Sequence, residues 1–73
     1  MGVTKLIYCI RIYNYLRDNP NRRFTVRWIA DKFDLNERTT RRYLSYLLKV
    51  DVNILVFVGR NGGYLYANRS YKG

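Results

Sequence analysis

The chain has 73 residues, with 14 Lys and Arg against 5 Asp and Glu, a net charge of +9, no histidine and one cysteine. A chain of this length buries only about 60% of the surface its unfolded form exposes, so it holds one modest core and no enzyme-sized cleft beside it. Scarce acids and absent histidine exclude most metal sites and acid–base pairs, and an apolar share of 48% excludes a disordered chain.

What remains is a single basic domain, with no catalytic residue, metal site, cofactor or small-molecule ligand expected. Arginine outnumbers lysine by 10 to 4, which favours planar, bidentate contacts to phosphate or base edges. Cys9 has no second cysteine to pair with, so a reducing, intracellular (cytoplasmic) setting is expected. Apolar runs such as Leu6–Ile10 fall far short of the ~20 residues that span a bilayer. One lysine and no small-residue cleavage site near the N-terminus argue against a signal peptide. The charge is spread along the chain rather than gathered in a tail, so the fold must decide which cations act together.

Residues 4–17 lack Gly and Pro and space their apolar side chains helically, which predicts a first helix. Residues 18–23, with Pro20 between asparagines, form a turn, and Phe24 is placed as a minimal strand. Thr25 reads as the N-cap of a second helix over 26–33, whose Val26, Ile29, Ala30 and Phe33 share one face. Asp34 takes the turn, since Asp tolerates left-handed backbone better than most residues, and Leu35 plugs it. Asn36 then caps a third helix over 37–50, with Glu37 favourably placed in its first turn. After Asp51 the period becomes strand-like. Ile54–Val58 and Tyr64–Ala67 flank Gly59-Arg60-Asn61-Gly62-Gly63, a hairpin over 54–67.

The third helix carries the clearest pattern. At about 100° per residue, Thr40, Leu44, Leu47 and Leu48 fall on one face, and Arg38, Arg42, Ser45 and Lys49 on the opposite one. Thr39 and Tyr46 flank the cationic face on one side and Arg41 on the other. A solvated helix surface also has this pattern, but five acids cannot offset fourteen bases here.

A short helix, a three-residue turn, a cationic helix and a hairpin make an α+β domain of the winged helix-turn-helix pattern. From Ile12 to Ala67 the sequence resembles the winged helix-turn-helix domains of DeoR-like regulators, the biotin-operon repressor and WYL-domain regulators. The resemblance is carried by Ile12–Arg17, Phe24–Ala30, Leu35–Leu44 and Gly62–Tyr66, and by the Asp51–Ile54 approach to the hairpin. It implies that the third helix enters the major groove of double-stranded DNA. Arg38, Thr39 and Arg42 would then lie nearest the bases, with Asn36 and Arg41 nearest phosphates and Tyr46 over sugar or phosphate. Arg60 and Asn61 would reach the backbone or a minor groove from the wing tip, and Thr25 and Arg27 would meet phosphate at the start of the second helix. The sequence departs from the family at Asp34, where glycine is usual. Family members also carry a further domain after the wing, and six residues follow Ala67 here, so no effector pocket is expected.

The expected function is a sequence-specific, DNA-binding transcription regulator, repressing by occlusion. Such a module would also suit a virus or plasmid acting in its host cell. Two other readings stay open: an architectural or replication/recombination accessory protein of low specificity, and a protein- or RNA-binding winged helix. The first helix adds one more expectation. Cys9, Ile12 and Leu16 face the core, while Val3, Leu6, Ile7 and Ile10 lie on roughly the other side, so a homodimer through this helix is expected. Trp28, off the core face of the second helix, is placed with that interface. A frayed first turn covering a patch of the monomer is the plainer alternative.

Overall fold

The computed structural model describes residues 3–60 and 62–72. Three helices come first: α1 (Val3–Asp18), α2 (Val26–Lys32) and α3 (Glu37–Val50). An antiparallel hairpin follows, β1 (Ile54–Phe57) with β2 (Gly63–Tyr66), in the register Ile54 opposite Tyr66 and Phe57 opposite Gly63. Phe24 adds a one-residue third strand beyond β2, exchanging both backbone hydrogen bonds with Tyr64 at 2.9 and 2.7 Å. The result is a small α+β domain compatible with the winged helix fold. Among the described residues, no helix is long and apolar enough to cross a membrane.

Each helix boundary has a local cause. Thr25 sits in extended backbone and its hydroxyl accepts from the Trp28 amide at 3.0 Å. Asn36 does the same for the Thr39 amide at 2.7 Å, so two of the otherwise orphaned helix donors are satisfied by side chains. The end of α2 is a Schellman motif. The Leu35 amide donates to the Ala30 carbonyl at 2.8 Å and the Asp34 amide to the Asp31 carbonyl at 3.3 Å, with Asp34 at φ 55°. That left-handed residue usually is glycine; Asp accepts it at modest strain. Leu35 then folds inward against the core.

The core is a single cluster of Ile12, Leu16, Phe24, Ile29, Leu44, Leu47 and Ile54, drawn from all three helices and the sheet. Thr40 is fully buried among them, and its hydroxyl donates to the Asn36 carbonyl at 2.8 Å, which removes the penalty of an unpaired buried polar group. An aromatic group of Tyr15, Phe24, Trp28 and Phe33 closes the α1–α2 side, with Phe24 and Trp28 rings 4.8 Å apart.

Two polar ties hold distant parts of the chain. The Tyr13 hydroxyl donates to Asp51 at 2.6 Å and joins α1 to the α3–β1 junction. Asn21, also left-handed at φ 64°, donates from its side chain to Asn68 and Ser70 and accepts from the Asn68 amide, which fixes the tail after β2. In the first tie, the hydrogen bond to the carboxylate pushes the Tyr13 hydroxyl up to about 12, and the same bond holds Asp51 below its usual 3.8. The tyrosine's contribution is therefore complete below pH 10.0 and lost as pH rises through about 12. The carboxylate's contribution is present above pH 3.8 and lost as pH falls through its lower folded value. Tyr13→Phe should cost about 1 kcal/mol at neutral pH, the low end for a half-exposed charged pair. Urea unfolding checks this: the deficit must shrink in strong acid, and the alkaline absorbance titration must lose its latest-ionising tyrosine.

Candidate nucleic-acid interface

The outward face of α3 is set by its inward one. Because Thr40, Leu44 and Leu47 are buried, Arg38, Arg42, Ser45 and Lys49 are turned to solvent, all exposed. They form a ridge about 20 Å long on a helix of this length. A concavity lies on each flank of that ridge.

The first concavity, about 410 Å³, lies between the start of α2, the start of α3 and the wing. Thr25, Arg27, Arg41 and Arg60 all line it, together with Glu37. Residues from three separate segments thus meet around one hollow, three of them arginines. Glu37 is the lone acid there among the described residues; it pairs with Arg41 at 3.3 Å, and both side chains are about half exposed. Such a pair contributes little to stability, so the arginine can exchange it for an anion.

The second concavity, about 510 Å³, lies between the start of α1 and α3, and is lined by Thr39, Arg42 and Tyr46 with Thr4, Lys5 and Tyr43. Lys5 was not legible as part of this site. Its ammonium lies 3.9 Å from the centre of the Tyr46 ring, a cation–π contact between residues 41 apart in the chain. Thr39 and Arg42 therefore act on one flank of α3 and Arg41 on the other. Arg38 stands on the ridge between them. Asn36 is exposed at the foot of α3, its side-chain oxygen engaged as the cap.

The wing is fastened to the body rather than free. Arg23 stacks over Phe57, 4.1 Å from the ring centre, and Gly63 packs against the Phe24 backbone. Positive φ falls at Gly59 (103°) and Gly63 (149°), the two ends of the Gly59–Gly63 loop. Asn61, expected at the wing tip, lies outside the described residues. Four of the eight tyrosines are paired with one another. Tyr43 stacks on Tyr8 with ring centres 6.2 Å apart, and Tyr13 meets Tyr66 edge-on.

On the first helix, Val3, Leu6, Ile7 and Ile10 are all exposed on one stripe. Trp28 does not join them. Its ring lies 5.5 Å from that of Tyr15, and Tyr15 is about 180° around α1 from Leu6, so packing with Phe24 and Tyr15 keeps Trp28 on the opposite side. Burial pushes the Cys9 thiol up and Lys5 pulls it partly back; a raised value keeps the thiol protonated and unreactive.

Comparison with models of known families, with curated proteins and with solved structures finds no match. The interface is thus read from its own geometry. That geometry depends on Gly63, where an added Cβ would come within 2.6 Å of the Phe24 carbonyl oxygen. Gly63→Ala should break the Phe24–Tyr64 pairing and destabilise the domain by about 1–3 kcal/mol, read as a lowered midpoint in thermal unfolding.

Proposed function

We propose that this chain is a sequence-specific binder of double-stranded DNA that acts as a transcription regulator, with α3 seated in the major groove. The observation that carries this reading is the placement of cations: a ridge of Arg38, Arg42 and Lys49 with a cationic hollow on each side. A duplex has that shape in negative. Its major groove, about 12 Å wide, admits one helix and is bordered by two phosphate backbones. In this reading Arg27, Arg41 and Arg60 meet one backbone, and Lys5 with Thr39 the other. Arg38 and Arg42 reach base edges, where a guanidinium pairs bidentately with guanine. Regulation follows from occupying the site and excluding other proteins from it. The likeness of the sequence to winged helix-turn-helix regulators supports the same docking.

The aromatic side chains favour a duplex over a single strand. Single-strand binders offer open rings on which bases stack, whereas Tyr8, Tyr43 and Tyr46 face one another or a lysine here.

The four cations placed at phosphates, Arg27, Arg41, Arg60 and Lys5, give a slope of log affinity against log salt of about −3.6, about two decades between 50 and 200 mM. Fluorescence anisotropy on a labelled random duplex measures it, and a flat response overturns the reading. Arg38→Ala with Arg42→Ala should weaken binding to a selected site on the order of a hundredfold and relax its specificity while leaving the salt slope nearly unchanged, because these two read base edges, with helical content unchanged because both side chains are exposed. Glu37→Gln should tighten binding to any duplex severalfold by removing a like charge facing phosphate. Selection from random duplexes then separates a regulator, which prefers its site by ~10³ or more, from an architectural protein, which does not.

A further inference from the structure

The described surface has an apolar feature to which DNA docking gives no role, next to the second hollow, with which it shares Val3, Lys5 and Tyr46. Val3, Leu6, Ile7 and Ile10 occupy about 100° of the circumference of α1, with Val3 72% and Leu6 60% exposed. Beside this ridge runs a groove of about 420 Å³ between α1 and the end of α3, walled by Lys5, Cys9, Tyr13, Tyr46, Leu47 and Val50 and shared with Leu6 and Ile10. Val50 is itself 76% exposed. A ridge of branched apolar side chains therefore stands next to a hollow of the same character.

We propose that a second copy of this chain covers it, in an antiparallel two-fold pairing of the N-terminal halves of α1. Three observations select that occupant. The first is symmetry in the sequence. An axis between Leu6 and Ile7 sets Val3 against the partner's Ile10, and Leu6 against the partner's Ile7, so every member of the stripe meets an apolar residue. A two-fold interface requires such self-complementarity, and the ridge of each copy enters the groove of the other. The second is area. The stripe, the groove and Val50 present an apolar surface on the order of 500 Å², so pairing buries about 1,000 Å², the threshold of a specific interface. The third is where the charges fall. In this register Asn14, Arg17 and Asp18 lie beyond the partner's stripe, and Lys5, which lines the groove, has its ammonium seated on the Tyr46 ring. The net +9 of each copy opposes pairing at long range only, where salt screens it.

That last point separates this interface from the DNA reading, on which it does not rest. Salt weakens a contact with phosphates but strengthens contact between two like-charged copies. Sedimentation equilibrium without DNA and with reductant, at about 10 μM protein, should give the mass of two chains, with tighter pairing at about 300 mM than at 50 mM salt. Leu6→Gln with Ile10→Gln should weaken pairing at least a hundredfold while leaving far-ultraviolet circular dichroism and the salt slope of duplex binding per chain unchanged. A wild-type monomer at ten times that concentration overturns the proposal. So does a dimer that survives the double substitution, since it must use another surface.

Discussion

The structure depends on how α3 is held. Its inner edge of Thr40, Leu44 and Leu47 is the surface on which α1, α2 and the sheet are assembled, and no rotation of the helix is possible without exposing leucine or burying arginine. Thr40 makes the constraint strict. Its hydroxyl donates to the Asn36 carbonyl of the same helix, which lets this polar residue be buried at the packed edge without an unpaired donor, whereas Arg38 or Arg42 in its place has no such partner. The core thereby sets the direction of every cation on the opposite face. Rigid presentation of this kind lowers the entropy lost when side chains meet a ligand.

A second tier of contacts positions what surrounds α3. Tyr13–Asp51 ties the first helix to the entry of the hairpin, Arg23 leans on Phe57, and Phe24 pairs with Tyr64. Together they set the wing against the start of α2, which is what gathers Arg27, Arg41 and Arg60 around one hollow. The chain has no histidine, the side chain whose ordinary charge change falls in the physiological pH range.

Local chemistry was readable in the sequence. Thr25 and Asn36 as caps, Asp34 as the left-handed turn residue and the helical spacing of Leu44 and Leu47 each depend on neighbours within a few positions. The helix bounds accordingly agree to within about one residue. Long-range side-chain pairing was not readable. Lys5 with Tyr46, Tyr13 with Asp51 and Asn21 with Asn68 are each decided by the final packing, and no spacing rule joins them. Trp28 shows the same limit from the other side: its helical position is off the core face, yet Phe24 and Tyr15 draw its ring into an aromatic group no periodicity encodes. Two flanking hollows rather than one continuous basic face likewise required the wing and the start of α1 to be in place.

The sheet has one further consequence. Phe24 and β1 cover the two sides of β2, so among the described residues the outer edge of β1 has no partner strand, and Val56 and Val58 beside it are exposed. An open edge with apolar side chains is a template for aggregation. Four residues make a short template, and mutual repulsion between highly cationic molecules keeps two such edges apart. A bound polyanion cancels that repulsion. The colloidal behaviour of this protein is therefore governed by the ratio of protein to polyanion, with the greatest tendency to precipitate near charge neutrality rather than at the highest protein concentration.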